Sequence, residues 1–410
     1  MRRILLVLLT LLATASSAET VAVKAGAIID PVTGSEARDQ IVVVENGIIR
    51  AVGPGLSIPN GARVVDLSSE WLVPGLMDAH THLTLPQDST SLTESTAQRA
   101  LRGLHNAQAV LAAGFTTVRD VGFDGEYAML DVRRAVERGF FDGPTIVSSG
   151  KIIAPFGGES AGIPPEHASL LDYEYINADT PDDIRRAVRR NLYYGAGVIK
   201  LIGEGIRVHY SVEEIRAAVD EAHKAGVPVA VHAYGGSAAQ AAIDAGVDSI
   251  EHGFELTDAQ LTQMKAKGIF LVGTDFPSAH LDAMGTYGGT FPESAVLTPR
   301  IIDRLKRAHR IGVRMAFGSD TVIDLPGRTR AELMLDYLAV WRSAGIGPAD
   351  ILRAMTSDAA ELLRVGHQRG RISPGLAADI VAMPADPLKD IEALRKIDFV
   401  LKGGKSIHTR

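Results

Sequence analysis

The chain has 410 residues, 46% of them hydrophobic and 22% charged, with a formal net charge of −7 and no cysteine. This composition excludes a disordered chain, and the scattered charge offers no basic or acidic block for nucleic acid or an anionic membrane surface, so a small molecule is the expected partner. Without cysteine there is no disulfide, thiolate ligand, cysteine nucleophile or lipoprotein attachment point, so a metal site must come from His, Asp, Glu or a modified Lys.

Residues 1–18 read as an export signal, in which Arg2 and Arg3 precede an apolar stretch and Ser16-Ser17-Ala18 supplies small residues for cleavage. The apolar run falls short of the roughly 20 residues that cross a bilayer, so no membrane association is expected once the signal is removed. The expected address is the periplasm, with secretion beyond it left open.

Short β-type runs follow at 21–23, 27–29, 41–45, 48–52 and 63–66, with Asn46-Gly47 as a hairpin signal. A matching pattern returns at 379–383 and 399–402. The two ends therefore read as one small β-sandwich unit, 19–72 with 367–410, beside a barrel formed by 73–366.

Between the ends, strand-like and helix-like segments alternate eight times, the pattern of an α/β fold with a (β/α)8 TIM-type barrel. Strands are expected to end near His82, Val121, Ser149, Ile202, Ala233, Gly253, Thr274 and Asp320. Helices are expected over 95–113, 126–138, 181–194, 211–225, 237–245, 257–267, 299–311 and 330–344. Thr180-Pro181-Asp182-Asp183 is a capped helix start, and Gly114, Gly226, Gly246, Gly268 and Gly312 are helix stops. Catalytic groups of such barrels lie at the C-terminal strand ends, where the long connections 150–180, 203–210 and 275–298 are expected to enclose substrate.

Chemistry-bearing residues fall at those ends. The apolar run at 71–83 closes on His80 and His82, whose period-two spacing puts both imidazoles on one strand face, able to hold a divalent ion. Later apolar runs end in Lys200, His232, His252 and Asp320. His80, His82 and Asp320 could hold one ion and His232 with His252 a second, but two cations about 3.5–4 Å apart need a bridging anion. Lys200 has the wrong sign for that, and taken alone it reads as a strand-end ammonium paired with a carboxylate.

These six positions sit within Val73-Pro74-Gly75-Leu76-Met77-Asp78-Ala79-His80-Thr81-His82, Gly197-Val198-Ile199-Lys200, Val231-His232-Ala233-Tyr234-Gly235, Ile250-Glu251-His252-Gly253 and Gly318-Ser319-Asp320. Together they resemble the metal-dependent amidohydrolase superfamily, nearest its imidazolonepropionase-like and Xaa-Pro dipeptidase branch, over nearly the whole chain after residue 18. The resemblance implies two divalent metal ions, zinc the leading candidate, with His80 and His82 on the first, His232 and His252 on the second, and a carbamylated Lys200 bridging them. It makes Asp320 a ligand of the first ion and the general base, taking a proton from the attacking water and passing it to the leaving amine. It also allows a homo-oligomer, with no interface identifiable in the sequence.

Other residues complete the reading. Tyr234, two residues beyond His232, could donate to the substrate carbonyl or simply pack at the rim. Arg207 and His209 could meet a substrate carboxylate, with His167 and His280 as weaker candidates, although solvated loop residues account for all four as well. Glu251 is expected to alternate away from His252 and pack or pair on the other side of its strand. Dipeptidases of the branch often carry Gly-Gly-His after strand three, whereas this chain has Phe156-Gly157-Gly158-Glu159. A carboxylate there would favour a cationic side chain or free amine, or would face solvent.

The expected activity is hydrolysis of an amide or peptide bond in a dipeptide or N-acyl amino acid by an exported binuclear enzyme. Ester, lactone or phosphotriester hydrolysis on the same metals is the alternative. Deamination ranks third because mononuclear deaminases do not require Lys200, and a non-catalytic binding protein is disfavoured by the filled ligand positions.

Overall fold

The computed structural model describes residues 19–86, 94–160, 162–286 and 293–409, so the expected signal at 1–18 lies outside them. Four strands open the chain: β1 (Thr20–Asp30), β2 (Ser35–Glu45), β3 (Ile48–Pro54) and β4 (Arg63–Pro74). β1 pairs antiparallel with β2 and parallel with β4, and β2 turns into β3 around Asn46-Gly47. Both turn residues take positive φ, 51° and 78°, which is why Asn-Gly serves there.

Gly75 turns β4 into β5 (Leu76–Thr81), whose six residues are all buried, as expected of a parallel strand covered on both faces. β5 pairs with β6 (Phe115–Asp120), and β6 with β7 (Thr145–Ser148). A bend at Gly150, φ 65°, leads into β8 (Ile152–Ala154), which pairs with β9 (Tyr175–Asn177) and meets β10 (Ile199–Ile202). β11 (Val229–Ala233), β12 (Ser249–His252) and β13 (Phe270–Val272) continue the parallel order.

Backbone hydrogen bonds extend that order past both sheet edges. Gly197 N–H donates to Ser148 O at 2.9 Å, joining β7 to the approach of β10. On the far side, Ala316 N–H reaches Leu271 O at 3.1 Å, Ala79 N–H reaches Phe317 O at 2.7 Å and Asp320 N–H reaches His80 O at 2.8 Å. Segment 314–320, expected as the eighth strand, thus lies between β13 and β5. It is irregular rather than a continuous strand, because Asp320 takes a left-handed backbone.

The connecting helices follow the expected punctuation. Pro181–Tyr194 starts where Thr180 Oγ1 accepts Asp183 N–H and stops at Gly195, φ 99°. Val212–Lys224 and Asp258–Lys267 each begin with a reciprocal capping box, Ser211 with Glu214 and Thr257 with Gln260. Two expectations need correction. The helix expected over 299–311 begins at Ser294, its first turns anchored by buried Leu297, and the helix expected over 330–344 breaks into Arg330–Met334 and Tyr337–Ser343. Among the described residues no helix is long and apolar enough to cross a membrane.

β14 (Ile380–Met383), β15 (Phe399–Lys402) and β16 (Lys405–Thr409) return to the opening strands, giving one seven-stranded sheet in the order β16-β15-β14-β4-β1-β2-β3. This corrects the sandwich expectation, since hydrogen bonding runs unbroken across both termini. The sheet curls on itself: Gly375 N–H donates to Ile49 O and Ala378 N–H to Gly47 O, both at 2.8 Å. Val21, Val23, Val42, Val44, Leu72, Ile380 and Leu401 fill the enclosed core.

The junction between sheet and parallel strands has no spare room. A Cβ on Gly75 would lie 2.1 Å from Thr116 Oγ1, and Thr116 is fully buried. Gly75→Ala is therefore expected to lower stability by about 1–3 kcal/mol, read as a reduced urea midpoint at unchanged slope.

Candidate metal centre

Parallel strands deliver the four histidines to one place. His80 and His82 stand at the end of β5, His232 on β11 and His252 at the end of β12, all buried. Ring centroids are 5.2 Å apart for His80–His82, 5.2 Å for His80–His252 and 4.5 Å for His232–His252. Asp320 enters between them, with Oδ1 3.4 Å from His82 Nε2 and 3.8 Å from His80 Nε2, and Oδ2 3.9 Å from His252 Nδ1.

Neighbouring groups fix the proton positions on His80 and His82. His82 Nδ1 lies 2.8 Å from Gly122 O, and a carbonyl only accepts, so Nδ1 carries the proton and Nε2 presents a lone pair. His80 Nδ1 likewise meets Glu251 Oε2 at 2.7 Å, and His252 Nδ1 meets Thr274 Oγ1 at 2.8 Å. Burial, reinforced by the charges around them, holds all four imidazoles in the neutral form that a metal requires, with His82 lowered to about 3.

The residues fit a metal. Nε2 of His80 is buried without a hydrogen-bond partner, an arrangement that leaves a donor atom waiting for a cation, and Nε2 of His232 is buried with only the Glu159 carboxylate near it, 3.3 Å away. One donor atom each from His80, His252 and Asp320 fall within 4.8 Å of one another. This group draws on both of the expected ligand sets, because Asp320 sits centrally. Lys200 is buried on β10 within electrostatic reach of Glu251, Glu159 and Asp320. Desolvation lowers its affinity for a proton, toward the uncharged amine.

Glu251 pairs as expected, on the strand face that it shares with Ser249, and what the sequence did not announce is that it also reaches His80. His252 takes φ 69°, so the backbone twists at the strand end and both neighbouring side chains reach His80. Arg119 on β6 donates to both Glu251 oxygens, at 2.7 and 2.8 Å, and to Ser249 Oγ at 3.1 Å. The Glu251 carboxylate is thereby held in place against the ring that it orients.

Tyr234 is brought to the cluster, its ring 4.7 Å from His232 and 5.6 Å from His252, and burial keeps its hydroxyl protonated. Glu159 also arrives, with Oε1 3.3 Å from His232 Nε2. Arg207 and His209 are not brought in: both are exposed in the 204–209 loop, and among the described residues no side-chain bond ties them to the histidines. That loop meets the site through Glu204, whose Oε2 accepts Tyr234 N–H at 2.7 Å. His167 is exposed, and His280 is buried against Asp336 at 3.1 Å, a structural pairing.

Because Glu251 fixes a ligand ring without being a ligand, Glu251→Gln is expected to weaken divalent-metal affinity about 10- to 100-fold while the fold survives. Competition with a chelating dye measures this, and unchanged affinity would refute the orienting role.

Comparisons with known proteins agree with this geometry. The model of the Amidohydrolase family matches residues 71–407. Ochratoxinase of Aspergillus niger is 29% identical over 436 residues, covering 96% of this chain and 88% of that protein. Imidazolonepropionase of Salinispora tropica is 25% identical over 363 residues, covering 85% of this chain and 86% of that protein. A solved Xaa-Pro dipeptidase with methionine bound in its active site superposes with a TM-score of 0.84 at 28% identity, covering 95% of this chain and 100% of that one. With a TIM-barrel-type fold, a sheet added from both termini and a buried His/Asp cluster at the strand ends, the chain belongs to the amidohydrolase family of metal-dependent hydrolases acting on C–N bonds.

Proposed function

We propose that this enzyme hydrolyses the amide bond of a small substrate, a dipeptide or N-acyl amino acid, at a pair of divalent ions within a closed (β/α)8 barrel. The observation that carries the reading is the convergence of His80, His252 and Asp320 donors beside a buried, unpartnered Nε2 on His80. The hydrogen bonds from segment 314–320 to β13 and β5 support closure. The relatives named ochratoxinase and Xaa-Pro dipeptidase support an amide substrate.

His80, His82 and Asp320 would hold one ion and His232 with His252 the other, with zinc suited to this nitrogen and oxygen donor set. When bound, the ions polarise the scissile carbonyl and acidify water. Lys200 would supply the bridging anion as a carbamate, and its burial favours the neutral amine that carbon dioxide requires. Asp320, whose proton affinity is raised by burial against the pull of Lys200, takes the proton from water and delivers it to the leaving nitrogen. Tyr234 donates its hydroxyl hydrogen to the carbonyl oxygen as charge develops there. We further propose that residues 1–18 direct export, which amino-terminal sequencing of the periplasmic form would test.

Protein prepared with bicarbonate is expected to hold near two metals per chain and to turn over an amide panel. Asp320→Asn should lower kcat about 10²- to 10⁴-fold. Lys200→Ala should lose the second ion, and full activity with two ions in that variant would sink the bridged site. Ester turnover without amide turnover at equal metal occupancy would move the reaction to esters.

A further inference from the structure

Beyond the expected ligands, one carboxylate reaches the cluster from a loop. Glu159 Oε1 lies 3.3 Å from His232 Nε2, and its side chain remains 31% exposed, so it borders both the metal-facing ring and the open face. Two left-handed residues deliver it, Gly157 at φ 87° and Gly158 at φ 51°. A Cβ at Gly158 would fall 2.8 Å from the Tyr175 ring, so only glycine lets the loop press there.

The loop is fixed along its length. Phe156 N–H donates to Asp179 Oδ1 at 2.9 Å, Gly157 N–H to Asn177 Oδ1 at 3.1 Å and Ile206 N–H to Gly158 O at 3.1 Å. Glu159 is therefore aimed by its backbone.

Its charged surroundings call for a cation. Burial disfavours a charge on Glu159 and Glu204 repels it, while Lys200 opposes both. Tyr175 and Tyr234 lie within electrostatic reach of Glu159, and Phe123 packs 5.8 Å from Tyr175 and 5.2 Å from His82. A partly exposed carboxylate within reach of two tyrosines is an arrangement that takes an ammonium ion. Its position selects which one, because an α-amine is two bonds from the scissile carbonyl, whereas a lysine-type amine is several bonds farther away.

We propose that Glu159 is the counter-charge for a substrate α-ammonium. Small amides with a free amine beside the scissile carbonyl, dipeptides foremost, are then preferred over N-acylated amino acids. This rests on the amide-hydrolase reading above.

The test compares metal-loaded wild type and Glu159→Gln on a dipeptide and its N-acetyl counterpart, with metal content measured on both proteins. Binding of phosphinic pseudodipeptides with free and acetylated amines is measured by calorimetry on the same samples. The expected result is a loss of about 10- to 100-fold in kcat/KM and in inhibitor affinity for the free-amine compounds, with the acetylated ones changed less than about threefold and metal content kept. Loss of metal would make Glu159 a ligand and overturn the proposal, as would equal losses on both series or no loss on either. If wild type hydrolyses neither series, the amide reading fails by itself and the inhibitor affinities alone decide the role of Glu159.

Discussion

The guanidinium of Arg119, 1% exposed, is the tie on which the centre depends. It rises from β6, donates to Ala79 O on β5 and clasps Ser249 and Glu251 on β12, so one side chain joins three strands across the interior. A charge that has lost its water must be matched completely, and leaving one partner unmatched costs about 3–5 kcal/mol. The match extends to His80, so the demand for neutrality in the interior also orients a metal-facing ring.

Two further buried carboxylates extend this control to the backbone. Asp78 accepts N–H groups from His80 and Ser319, pinning the first strand to segment 314–320 beside Asp320. Asp120 accepts Leu83 N–H at 2.7 Å and fixes the turn after His82. Burial pushes the Asp78 carboxyl up to about 7, so this hold depends on directed hydrogen bonds more than on charge. His252 and Asp320 both take left-handed backbone, φ 69° and 52°, at the ends that carry them. The strain is sustained because the surrounding strands leave no alternative path, and the donors are preorganised before any cation arrives.

Much of this was legible because periodicity and punctuation report local physics. Pro181–Tyr194 came out residue for residue, since Thr180, Pro181 and Gly195 mark its ends chemically. His80, His82, His232 and His252 were placed by rules of strand alternation and strand ends. At Glu251 the same rule gave the pairing side, but the contact with His80 depends on a neighbouring strand that no one-dimensional pattern announces. The continuous terminal sheet was read as a sandwich because sequence shows strands without their partners. Arg207 and His209 looked suitable by type and loop, and the structure leaves both exposed, with no side-chain bond to the histidines among the described residues.

The sheet made from both termini also governs the order in which the molecule can assemble. β4 pairs with β14, for example Trp71 with Met383, so an opening strand finds one of its neighbours only after some three hundred intervening residues exist. Such high contact order slows folding and leaves an unpaired edge open to the wrong partner in the meantime. The parallel strands between them can collapse early, because their neighbours are close in sequence. The curl that buries Val21, Val42 and Ile380 together is therefore expected to close late in folding.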